Sequence, residues 1–128
     1  MREETIRIPY PESDAGRKAW NREYGLNAIY AGKHWSRRKN DAQYWHMLVQ
    51  AAVNHDCGST RPFDKPVTIT FFWNDALDLS NHAYMAKMIE DALKGRLIHD
   101  DNRKWVKGWD HRWHDGQSIV VTITEIGG

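Results

Sequence analysis

Apolar residues recur along the chain in two periods, and the change from one to the other marks its elements. Thr5-Ile6-Arg7-Ile8 alternates and is ended by Pro9 and Pro11, which predicts a short first strand. Val67, Ile69, Phe71 and Trp73 alternate with Thr68, Thr70 and Phe72, predicting a strand with one strongly buried face. Ser118 to Thr124 repeats that alternation as the clearest strand, ended by Gly127-Gly128. Between these runs the period is helical. Trp45, Leu48, Val49 and Ala52 give the buried face of a helix from an N-cap at Ser36 to about His55. Met85, Met88, Ile89, Ala92 and Leu93 give the stripe of a second helix from about Ser80 to Lys94, stopped by Gly95.

Three stretches fit neither period cleanly. Residues 12–34 are polar, basic and punctuated by Gly16, Gly25 and Gly32, so they read as a long loop. Its aromatics Trp20, Tyr24 and Tyr30 suit stacking on bases, or else pin the loop to the core. Gly58 to Pro66 is a turn-rich connector. Around Arg103 to Lys107 a further strand is expected, and Trp105, Trp109 and Trp113 with Gly108 point to a hairpin into the last strand. The fold predicted is α+β: one domain, 1–128, with a mixed sheet of four to five short strands and two long helices against it.

Composition narrows the setting. A hydrophobic fraction of 41% with seven tryptophans in 128 residues describes a folded domain with one core. The single cysteine, Cys57, has no partner for an internal disulfide and reads as a structural thiol, in keeping with a reducing compartment. Met1 to Tyr10 lacks the apolar run of a signal peptide, and no run approaches the roughly 20 apolar residues of a membrane helix. The expectation is a soluble, cytoplasmic protein without a membrane partner.

Net charge is only +1, but its distribution is uneven. From residue 17 to 39 the bases Arg17, Lys18, Arg22, Lys33, Arg37, Arg38 and Lys39 face one acid, Glu23. From residue 75 to 101 the acids Asp75, Asp78, Glu90, Asp91, Asp100 and Asp101 face Lys87, Lys94 and Arg96. Basic side chains suit phosphates, and paired carboxylates suit a hard divalent cation. The alternative is an ordinary solvated surface. Lys87 and Asp91, four apart, would share one exposed flank of their helix. Histidines such as His111 and His114 lack a zinc pattern, and no glycine-rich phosphate loop is present.

Asp78-Leu79-Ser80-Asn81, then Lys87, then Asp91-Ala92-Leu93, then Asp100-Asp101 resembles the signature of the RusA-type Holliday junction resolvases. In that family the order is Asp-x-Asp-Asn, a lysine, an aspartate in a helix turn, and Asp-Asp before a strand. Ile8-Pro9-Tyr10-Pro11, the helix from Ser36 to Val53 and Thr122 to Ile126 resemble the family's flanking elements, so the likeness spans nearly the whole chain. Two departures stand out: Asn81 to Lys87 is longer by three residues, and the family's second aspartate is Ser80.

The resemblance implies a Mg²⁺-dependent (or Mn²⁺-dependent) endodeoxyribonuclease that hydrolyses phosphodiesters in Holliday junctions or related branched DNA, acting as a homodimer and often of phage origin. It implies Asp78 and Asp101 as the principal metal ligands, with Asp100 and Asp91 beside them. Lys87 would meet the scissile phosphate, Ser80 and Asn81 would orient the carboxylates, and the basic residues from Arg17 to Lys39 would hold DNA. Serine brings no charge to a metal, so either another acid compensates, Asp75 being the nearest, or the fold binds branched DNA with weakened catalysis.

Overall fold

A computed structural model describes residues 1–127. The elements are β1 (Glu3–Pro9), α1 (Asp14–Tyr24), α2 (Leu26–Tyr30), α3 (Trp35–Asp56), β2 (Val67–Trp73), a 3-10 turn (Leu79–His82), α4 (Ala83–Leu93), β3 (Val106–Trp113) and β4 (Ser118–Glu125). The four strands form one mixed sheet in the order β1-β4-β2-β3. β4 runs antiparallel to both β1 and β2, while β2 and β3 are parallel. Parallel neighbours need a crossover, and α4 supplies it.

The strand alternation sorts residues as predicted. Ile6, Ile8, Val67, Ile69, Phe71, Trp73, Ile119, Val121 and Ile123 are buried beneath the helices. On the other face Thr5, Thr68, Thr70, Phe72, Val120, Thr122 and Thr124 stay half-exposed. Only one face of this sheet is covered. α4 presents Met85, Met88, Ile89, Ala92 and Leu93 to the core, and Gly95 ends the chain's helical course at φ +76°, where a side chain would be strained.

The expected loop at 12–34 is instead largely helical. Ser13 caps α1, its Oγ accepting the Gly16 N–H at 2.9 Å. Trp20 and Tyr24, one turn apart, pack on α3: Trp20 lies edge-on to Trp45 at 5.1 Å, and Tyr24 stacks on Tyr44 at 5.9 Å. Trp20 is 5% exposed, so it pins the segment and does not grip a ligand. Glycines masked a helix whose stabilisation comes from tertiary packing.

Two smaller corrections concern element ends. His34 caps α3 through Nδ1, which accepts the Ser36 N–H at 3.1 Å; Ser36 lies one residue inside the helix. The predicted β3–β4 hairpin does not form, because β2 lies between them. β4 carries the most regular apolar alternation and takes a central place with partners on both sides. β3 carries Lys107, Asp110 and Arg112, and charges suit an edge. The β3–β4 connection passes over the end of β2, held by Asn74 Nδ2 donating to Gly116 O at 2.7 Å.

No helix among the described residues is long and apolar enough to cross a membrane.

Candidate functional site

α4 projects Lys87 and Asp91 from its exposed flank, one turn apart, as their spacing predicts. The segment after α4 folds back and delivers Asp101 to the same place. Lys87 Nζ donates to Asp101 Oδ2 at 2.5 Å and lies 2.9 Å from Asp91 Oδ1 and 3.5 Å from Glu90 Oε1. Lys94 Nζ stands 3.4 Å from Asp101 and 3.7 Å from Asp91. Carboxylate oxygens of Glu90, Asp91 and Asp101 lie within 4.8 Å of one another, the only such group of three among the described residues. Asp100 sits behind, its Oδ1 accepting the Asp101 N–H at 2.8 Å.

The charges hold one another in their ionised forms. The Lys87 hydrogen bond keeps the Asp101 carboxyl well below its ordinary range, and that bond raises Lys87 in turn. Glu90 differs. Burial raises its carboxyl, opposed by Trp109 Nε1, which donates to Oε2 at 2.7 Å, and by the Lys87 charge. Glu90 is 5% exposed and faces the core side of α4 with Ala86 and Leu93. The sequence reading counted it only as one more acid. Its signal was there: positions 86, 90 and 93 share a helical face, so an acid at 90 is a buried one.

Asp78 stands outside this group. It is exposed and precedes the 3-10 turn, its carbonyl accepting the Asn81 N–H at 2.9 Å. The nine residues from Ala83 to Asp91 alone span about 12 Å of helix axis, so Asp78 and Asp91 bracket opposite ends of α4. Ser80 is exposed on the turn, and Asn81 lines a hollow against α1 and α2. The carboxylates brought together as a group of three are Glu90, Asp91 and Asp101, beside Lys87.

Asp75 is committed elsewhere. It accepts from Tyr10 Oη at 2.8 Å, from Leu77 N at 3.0 Å and from His82 Nε2 at 2.8 Å. His82 is fully buried, stacked on Trp73 at 4.2 Å, with Nδ1 3.1 Å from Leu79 O. The two ring nitrogens reach Leu79 O and the Asp75 carboxylate, so the imidazole ties the 3-10 turn to the end of β2. Burial raises the Asp75 carboxyl, but the His82 and Tyr10 bonds outweigh it and the net shift is downward. Such a group stabilises the fold fully above the unfolded carboxylate value of about 4, and that contribution is lost as pH falls through the depressed native value. In urea titrations from pH 7 to pH 2, Asp75→Asn is expected to flatten the acid limb of the stability curve. An unchanged limb would assign it to other carboxylates.

The basic residues divide. Lys33 points inward, its side chain 2% exposed, ion-paired with Asp41 and donating to Glu23 O at 2.7 Å. It belongs to a buried network and not to a DNA-gripping surface. Arg37 pairs with Glu23 at 2.8 Å. Arg17 lies over the Tyr10 ring and bonds Pro11 O and Gln117 Oε1, keeping its charge unmatched. Lys18, Arg22, Arg38 and Lys39 are exposed. Burial pushes the Cys57 thiol up to about 11, which leaves it protonated and unreactive. Neither the models of known protein families nor the curated proteins give a match to this chain.

Proposed function

We propose that the chain is a metal-dependent endodeoxyribonuclease acting on branched DNA. The observation that carries this reading is the meeting of Glu90, Asp91 and Asp101 within 4.8 Å, around a lysine and on the same domain as an exposed basic face. Three carboxylates form an oxygen donor set suited to a hard cation such as Mg²⁺ or Mn²⁺. The cation would supply charge stabilisation and an acidified water for phosphodiester hydrolysis. Asp101 and Asp91 would hold it from the solvent side and Glu90 from the core side, with Trp109 fixing the Glu90 carboxylate. Lys87, freed from Asp101, would turn its ammonium to the phosphate where charge builds. Glu90 takes up in this scheme the charge that Ser80 does not bring. A two-fold dimer would place two such sites on a four-way junction.

A second reading is favoured by Lys87 itself: its ammonium already satisfies all three acids, as a built-in cation would. On that reading the protein binds branched DNA and cuts it weakly or not at all. Cleavage of a synthetic four-way junction in Mg²⁺ or Mn²⁺ separates the two. Paired nicks by the wild type support the nuclease. Junction binding without nicks supports the weakened form. Lys87→Met removes the competing ammonium. It is expected to tighten Mn²⁺ binding about tenfold by calorimetry while lowering any cleavage; unchanged Mn²⁺ affinity would mean the triad is not the metal seat.

A further inference from the structure

We propose that the groove between α1–α2 and segment 74–81 holds an unpaired DNA strand. This rests on the DNA reading above for the choice of nucleic acid, but not on the acidic triad. Three hollows of about 410, 460 and 440 Å³ adjoin in a row. The first two share Asn21, and the second and third share Arg22 and Ala28, so they form one continuous track. It begins where β1 and β2 end, at Tyr10 and Asn74, passes Leu77 and Asn81, and leaves past Gly32 and His34.

Charge along the track is positive in effect. Arg17 and Lys18 line the first hollow and Arg22 the other two. Of the acids beside them, Asp75 is bound by His82 and Tyr10, and Glu23 by Lys33 and Arg37. Asp14 alone faces solvent without a partner among the described residues, leaving an excess of cations to meet phosphates. The middle hollow is different: Leu77 offers an apolar wall, and Asn21, Asn27 and Asn81 offer amide donors and acceptors. Tyr30 and Trp35, next in the chain to the lining residues Ala31 and His34 of the third hollow, are 79% and 65% exposed.

Cations and amides in one concave track, with exposed aromatics next in the chain to its lining residues, are the elements that grip a single strand, whose bases can turn inward and stack. Asn81 therefore belongs to strand binding, in place of the carboxylate-orienting role that the family resemblance implies for it.

The test is fluorescence anisotropy of a labelled 15-nucleotide oligothymidylate in EDTA, beside the same measurement with a duplex, the four-way junction and heparin. Wild type should bind the oligonucleotide. The double variant Lys18→Glu/Arg22→Glu and the single variant Trp35→Ala should each weaken binding about tenfold, with circular-dichroism melts unchanged. Lys107→Glu, on the edge strand β3, should have no effect. Oligonucleotide binding insensitive to both groove variants overturns the proposal. So does equal, groove-dependent binding of heparin, which marks a generic polyanion surface. Junction binding without oligonucleotide binding overturns the groove and leaves the nuclease reading standing. Groove-dependent oligonucleotide binding with no cutting in Mn²⁺ supports the groove and overturns the nuclease.

Discussion

Asp101→Asn is expected to lower Mg²⁺-dependent junction cleavage by at least about 100-fold while leaving the fold intact. Asp101 is the acid in closest contact with Lys87, and it completes the group of three with Glu90 and Asp91. Asparagine keeps the shape and one hydrogen-bond acceptor but removes the charge that both a divalent cation and Lys87 require. The stability cost should stay below about 1 kcal/mol, because Lys87 is half in solvent and exposed pairs contribute little. Cleavage assays with matched thermal melts decide the matter. Retained cleavage would remove Asp101 from the metal site and with it the proposed nuclease geometry. A loss of cleavage accompanied by a large drop in melting temperature would mean that Asp101 acts through the fold.

Lys33→Ala should have the largest effect on stability, about 3–5 kcal/mol. Lys33 reaches Asp41 on α3, whose other oxygen-bound partner is Tyr84 Oη at 2.7 Å, and it reaches Glu23 on α1 at 2.8 Å. Both Lys33 and Asp41 side chains are less than a tenth exposed. Removing the ammonium strands a carboxylate in the interior beneath the α1–α3 aromatic cluster. For a domain of this size the melting temperature should fall by about 10 °C or more. The double variant Lys33→Met/Asp41→Asn should recover much of that loss, since it removes both charges together. A small shift for Lys33→Ala would mean that Asp41 finds another cation or water when the lysine is gone.

The parts of the fold written as one-dimensional periodicity were legible in the sequence. β2, β4 and α4 lie where their alternation or stripe put them, because each buries one face against a single core. α1 was not legible: its helical character rests on Trp20 and Tyr24 meeting Trp45 and Tyr44, residues some twenty positions away, while Gly16 and Gly25 argued locally for a loop. Strand order was hidden for the same reason. Nothing between Trp113 and Ser118 says that β2 will stand between them; that follows from which strand can be buried on both edges. Of the site, Lys87 and Asp91 were read together from helical spacing, and Asp101 was added to them by the family resemblance. Glu90 was missed because it was counted with the other acids and not placed on the helical face it shares with Ala86 and Leu93. Lys33 was misplaced because charge runs carry no information about which member turns inward.

The order β1-β4-β2-β3 has a consequence for how the chain comes into being. β4 is the last strand made, yet it is the only partner of the first and one of two partners of β2. During synthesis β1 leaves the ribosome long before residue 118 exists, and α1, α3 and α4 must wait with apolar faces unshielded. Contacts between the two ends of the chain make folding slow to begin and nearly all-or-none once begun. A chain cut short before β4 should leave β1 without a partner and one edge of β2 open, and is expected to be insoluble, whatever its helices can do alone.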